Sequence, residues 1–429
     1  MRHPLSASPL AGALLLCLAA CSAGPADTAP GGSAISGDSA SGDGHGSVVG
    51  AAEVAKPQLG LTTIDPSGTV THLDLLDETV TEIGRIGAPT SMATDGRYLF
   101  AETADGLQVV DSGVWTWDHV DHFHYYRTEP RLLGTVDAGG ASGGDSGGDS
   151  DSGAGGVAIA TTTLSTTGGT GLFFADSGDA VLLDTEALSK GEITERFRIA
   201  TDPHAGMVVP VGSFALVTHA QGGTAASVVG YTAEGDRTGI EEPCPNAAGT
   251  ITTRVGAVIG CSDGALLASV ESGELTIERI PYPDGTTAPA ATSFDNREGR
   301  PTVAALAGTE GIWLLDTRER SWTLLPAPAP LAQVTAVDDD AENVLALTQD
   351  GRMLVLGGED GSLRAQTEPL VQASLAAGRS PRLIADQQRA YLSAPVEHRL
   401  FEIDFADGAR IARTFDTPTE PAFTAETGR

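Results

Sequence analysis

Three of the nine histidines fall within six residues of one run, Trp115-Thr116-Trp117-Asp118-His119-Val120-Asp121-His122-Phe123-His124-Tyr125-Tyr126-Arg127. Side chains alternate along a strand, so a strand here puts His122 and His124 on one face. Two imidazoles so placed can share one metal ion at Zn–N distances of about 2.0–2.1 Å. Neither Cys nor Met joins them, which suits a borderline ion such as Zn²⁺ better than Cu⁺. Asp121 falls on the opposite face with Phe123 and Tyr125. His119 has the wrong parity for the histidine face unless a bulge intervenes. The plain alternative is a strand with surface histidines among core aromatics.

Zinc needs a third protein ligand and often a fourth. The turn Asp202-Pro203-His204-Ala205-Gly206 is the best supplier, since Pro203 stiffens it and Gly206 allows close approach. The expected site is therefore His122, His124 and His204. A carboxylate (Asp121, Asp118 or Asp202) or His119 would be a fourth ligand or would orient a ligating ring. His219 follows an apolar strand and could approach the same rim. His72 and His398 read as isolated surface histidines, and His45 lies in a Gly/Ser-rich stretch.

The elements that must position these groups read as β throughout. Apolar runs are short, rich in Val, Ile, Thr and Leu, and broken by Asp-Gly, Gly-Asp and Glu-Gly turns. The nearest thing to a helix is Leu370 to Ala377. The strands repeat, with several ending in Asp: Gln108-Val109-Val110-Asp111, Val181-Leu182-Leu183-Asp184, Trp313-Leu314-Leu315-Asp316 and Phe401-Glu402-Ile403-Asp404. Anchors at Tyr98, Leu172, Phe214, Val258, Val303, Val344 and Tyr391 are spaced, after the first, by 42, 44, 45, 41 and 47 residues. That is the period of a four-stranded propeller blade. The expectation is an all-β propeller of seven four-stranded blades, its last blade closed by a strand near Leu59 to Ile64. The WD dipeptide of WD40 repeats is absent.

The N-terminus begins with Arg2 and an apolar run from Leu10 to Ala20, too short to span a bilayer. It ends in Leu18-Ala19-Ala20-Cys21, which resembles the lipobox of bacterial lipoproteins. Residues 1–20 are thus expected to be a signal peptide, Cys21 a lipidated anchor, and 21–56 a disordered tether. The propeller would occupy 57–429, with a Gly/Ser/Asp-rich surface loop at about 138–156 that could lie over the metal site. The mature protein would lie outside the cytoplasm, held to the cell membrane through the lipid alone. In that oxidising compartment Cys244 and Cys261 read as a disulfide, with a two-thiolate metal site as the rival. The formal net charge is -32. Such a chain repels nucleic acid and anionic headgroups. No nucleophile elbow, P-loop or dinucleotide fingerprint points to an enzyme.

The histidine run resembles that of the AztD-type zinc chaperones, extracytoplasmic propellers that pass zinc to the solute-binding protein of an ABC transporter. Pro203-His204-Ala205-Gly206 resembles that family's histidine-bearing turn. Cys244-Pro245 with Gly260-Cys261-Ser262-Asp263-Gly264 resembles its cysteine-containing blade, and Ala390-Tyr391-Leu392-Ser393 its closing blade. The chain departs from the pattern at Ala205, where a paired histidine is expected, and at Asn246-Ala247-Ala248-Gly249, where His-Gly is expected. The resemblance implies a zinc carrier with a transporter binding protein as recipient; the chain is also expected to be a monomer and, from the missing catalytic motifs, not an enzyme. The alternatives are a propeller lyase or hydrolase with a metal at its rim, and a non-catalytic cell-surface interaction module.

Overall fold

The structure, a computed structural model, describes residues 46–118, 122–138, 156–309 and 311–429. Cys21, the leader and most of the tether lie outside the described residues, as do His119 and Asp121. Among the described residues no helix is long and apolar enough to cross a membrane.

The described residues form eight antiparallel sheets of a β-propeller, one more than the anchors predict. Every anchor lies in the second strand of a blade, from Tyr98–Thr103 to Ala390–Ala394. The blade they miss is blade 1. Its inner strand, Phe423–Thr427, comes from the far end of the chain and pairs with Gly60–Ile64, followed outward by Thr69–Asp74 and Val80–Arg85. Gly60–Ile64 therefore belongs to an eighth blade instead of completing the last one. A repeat search reads contiguous sequence, and this blade is not contiguous.

Blade 2 runs outward through Pro89–Thr94, Tyr98–Thr103, Gly106–Asp111 and Arg131–Val136. Blades 3 to 8 follow in chain order, with inner strands that include Val157–Ala160 in blade 3, Val208–Val211 in blade 4 and Thr250–Thr252 in blade 5. In blade 6 three strands start at Thr302, and the inner position is taken by a bridge from Asp295 to Ala304. Second strands such as Gly169–Phe174 are buried along their whole length, because neighbouring blades cover both faces. Outer strands such as Arg237–Pro243 alternate, because one face meets water.

The core is divided between blades. Ile64, Val70, Leu99 and Val110 pack blade 1 against blade 2, and Leu61, Leu73, Tyr391 and Leu400 pack blade 8 against blade 1. The ring is thus closed by apolar contact as well as by strand pairing. Each fully buried Leu, Ile or Val contributes about 1.5–3 kcal/mol. The strand-ending aspartates are spent on structure. Asp184 caps the one-turn helix Thr185–Ser189, while Asp316 and Asp404 pair with Arg318 and Arg389. The helix expected near Leu370 is Gln372–Ala376. Cys244 and Cys261 form a disulfide that ties blade 4 to blade 5.

One element stands outside the blades. Val114–Asp118 and Phe123–Arg127 form a hairpin between the third and fourth strands of blade 2. Ala52–Val54 adds a third strand by pairing with Phe123–Arg127. The stretch expected to be irregular up to Lys56 therefore enters the fold before residue 56.

Candidate metal centre

The hairpin has the predicted parity. Tyr126, His124 and, one step beyond the strand, His122 line one face. Trp115 and Trp117 stand directly opposite Tyr126 and His124 on the partner strand. His122 and His124 approach with their Nε2 atoms 2.9 Å apart and ring centroids 4.7 Å apart. Glu53 pairs with Tyr126 across the edge strand, so its side chain also falls on this face. Its carboxylate lies 2.7 Å from His124 Nδ1. A carboxylate accepts, so this contact places the His124 proton on Nδ1 and leaves a lone pair on Nε2. His122 Nε2–H then donates to that lone pair.

A stack of groups supports the pair. At its base Arg97 and Asp111, both fully buried, form a bidentate ion pair with two contacts of 2.9 Å. The Arg97 guanidinium lies 3.7 Å over the Trp115 ring, and Trp115 stacks on Tyr126 at 5.3 Å. Tyr126 in turn lies parallel to His124 at 6.3 Å. A desolvated cation–π contact contributes about 2 kcal/mol and an aromatic pair about 0.5–1.5 kcal/mol. The Trp115 indole N–H donates to the Gly46 carbonyl (3.1 Å), and Thr116 donates to the carbonyls of Gly428 and Arg429, each at 2.7 Å. Asp118 pairs with Arg254 of blade 5 at 3.0 Å. The hairpin is thus held at its base and along its length. Phe123, on its other face, is 52% exposed.

His204 does not join this pair. The hairpin leaves blade 2 after Asp111, which pairs with Tyr98 beside the turn from first to second strand. The same end of blade 5 supplies Arg254. His204 lies instead between the outer strand of blade 3, Glu195–Ala200, and the inner strand of blade 4. Ala200 pairs with Asp179 beside the turn from second to third strand, and Thr201 donates to the Gly178 carbonyl there at 2.8 Å. The two sites are on opposite ends of the ring. His204 is 5% exposed. Its Nδ1–H donates to the Asp202 carbonyl (2.7 Å), and its Nε2 accepts from the Thr218 hydroxyl (3.0 Å). The Phe173 ring meets its edge at 4.6 Å. This is a packed core histidine, and its partners use both ring nitrogens. The expected triad of His122, His124 and His204 is corrected accordingly. Sequence spacing could not reveal this, because blade ends alternate with each strand.

The three remaining histidines among the described residues lie elsewhere. His219 Nε2 sits 3.1 Å from the Tyr231 hydroxyl, and burial, then the Arg237 charge, holds its pKa below the ordinary value. His72 is half-buried against Thr62 at 2.9 Å instead of isolated at the surface, and burial lowers its pKa too. His398 is exposed. The Gly/Ser/Asp insertion joins Val136 to Val157. Val136 pairs with Leu107 at the second-to-third turn, so both ends of the insertion emerge on the His204 end, away from the hairpin.

Could this pair hold zinc? Tetrahedral bonds of about 2.0–2.1 Å require the two nitrogens to stand about 3.3 Å apart. The rings need separate by only a few tenths of an ångström, and the ion would replace the proton between them. Glu53 already plays the part that carboxylates play behind zinc-bound imidazoles. Among the described residues no group of three His, Cys, Asp or Glu forms a closed metal cage. The fit is to a two-imidazole, solvent-accessible seat. Sequence reading missed Glu53, a lone carboxylate at the end of a Gly/Ser-rich stretch. It missed Arg97 as well, though the buried partner Asp111 belonged to the repeated strand signature.

No family model matches the sequence, and no curated protein matches it. Solved structures do. The crystal structure of Citrobacter koseri AztD superposes with a TM-score of 0.71 at 18% identity, covering 87% of this chain and 99% of that one. Apo AztD from the same organism gives 0.70 at 17% identity, covering 87% and 98%. The chain has the propeller fold of these proteins.

Proposed function

We propose that this protein binds zinc outside the cytoplasm at the His122–His124 hairpin and passes it to the solute-binding protein of a zinc ABC transporter. The observation that carries this reading is the pair of facing Nε2 atoms at 2.9 Å, with Glu53 behind one of them. A seat of two imidazoles on an exposed hairpin leaves coordination positions for water or for a recipient's ligands. Zinc can then be exchanged one bond at a time, which a closed four-thiolate cage resists. The propeller fold shared with AztD supports the reading, as does the histidine run that resembles the AztD-type chaperones. On this reading the protein is a carrier and not an enzyme, and the ring is a rigid mount.

The test is metal titration of the purified chain and of His122→Ala/His124→Ala. The wild type should take up one zinc, and the double variant should lose it while keeping its unfolding midpoint. A zinc-loaded chain mixed with a candidate binding protein should then lose metal to it. Zinc uptake unchanged in the double variant would remove the proposed site.

A further inference from the structure

We propose that the channel beneath the hairpin is a second binding site, which takes a small aliphatic diamine in its doubly protonated form. It is independent of the zinc reading. The inner strands and first turns of several blades line a cavity of about 210 Å³ that is open to solvent. At about 30 Å³ per water, that is room for roughly seven waters or a ligand with a similar number of heavy atoms.

The lining chemistry points to a cation with N–H donors. Thr424 and Glu426 alternate along the inner strand Phe423–Thr427, so both side chains face the cavity. Glu426 is 2% exposed and Thr424 3% exposed. One Glu426 oxygen pairs with Arg429, while its Oε1 is buried with no hydrogen-bond partner. The Thr424 hydroxyl is likewise buried and unpartnered. The Nε–H of Arg429, in the same ion pair, is also unpartnered and can serve Oε1, so the Thr424 hydroxyl is the group on this strand face left waiting for a donor, and leaving a buried polar group unpaired is unfavourable.

Charge points the same way. Asp95, Glu298 and Glu426 line the cavity together with Arg429, whose guanidinium pairs with Glu426 and reaches Glu298 at 3.6 Å. With all three carboxylates ionised, two negative charges remain against this one cation, the complement of a diammonium ion, whose approach would favour loss of the Asp95 proton. Arg382 is already occupied by Asp295 at 2.6 Å. Burial, then the Glu298 charge, pushes the Asp95 pKa up to about 7 against its backbone hydrogen bonds, and burial raises Glu298 as well. Both groups would gain from a nearby cation. Among the described residues no three carboxylates or imidazoles converge as metal ligands. Acceptors spread along a cavity wall suit ammonium groups, which donate in several directions.

The experiment is calorimetric titration of the full chain with putrescine, and separately with sodium and potassium chloride. One saturable site is expected for putrescine. Glu426→Gln and Thr424→Val should each weaken it by about tenfold or more. Glu359→Gln, at an exposed carboxylate, should leave it unchanged. Unfolding midpoints at or above wild type for the two cavity variants show that the fold survives. The proposal is overturned by no saturable binding, by equal weakening in Glu359→Gln (general attraction to an acidic surface), or by simple salts competing at matched concentration.

Discussion

Replacing Glu53 by Ala tests the hairpin chemistry more sharply than removing a ligand does. Glu53 touches no metal in the proposed site. It holds the His124 proton on Nδ1 through a 2.7 Å contact and so keeps the Nε2 lone pair aimed at His122. Loss of such a partner typically lowers metal affinity 10- to 100-fold. Glu53 is 58% exposed in its side chain, so water partly replaces it and the lower end applies. The expected loss is about tenfold, or about 1.4 kcal/mol. Glu53→Gln keeps an acceptor oxygen and should fall between wild type and Glu53→Ala. Affinity would be read by competition with a chromophoric zinc chelator, with Trp117, directly across from His124, as a fluorescence reporter. Should Glu53→Ala bind zinc as tightly as wild type while His124→Ala does not bind, the tautomer argument fails though the site stands. Should His124→Ala also bind normally, the site itself fails.

Three further outcomes follow from the geometry. His204→Ala should leave zinc binding intact and lower stability by about 2–3 kcal/mol, since it empties a core position and removes the ring's bonds to the Asp202 carbonyl and the Thr218 hydroxyl; denaturant unfolding and zinc titration of one preparation check both halves. Asp95 has a folded pKa near 7 against an ordinary value of 3.8. The folded chain therefore keeps a proton that the unfolded chain loses, and stability should fall as pH rises from about 4 to 7, by at most about 4 kcal/mol. Asp95→Asn should flatten that slope in thermal melts. Replacing Cys244 and Cys261 by Ala should cost about 3 kcal/mol without altering zinc uptake, because the disulfide lies in blades 4 and 5; paired melts and titrations would show it.

Local chemistry made a large part of this protein legible in its residues. The strand period placed all seven anchors in second strands, because each blade must bury that strand on both faces and so repeats its apolar pattern. Alternation put His122 and His124 on one side of a strand, since side-chain parity is a property of the backbone alone. The cysteine pair followed from two thiols remaining once the leader and anchor were set aside. The tertiary structure decided what depends on residues far apart in the chain. It supplied the eighth blade, whose inner strand is joined to the others only by ring closure. It separated His204 from the hairpin, because successive strands end at opposite ends of a blade and spacing does not record which. It brought Glu53, Arg97 and Asp111 to the histidines through edge pairing and stacking. Periodicity and parity act between neighbours in sequence, whereas the histidine pair's supporting groups and the channel lining come from residues whose distance is set only when the ring closes.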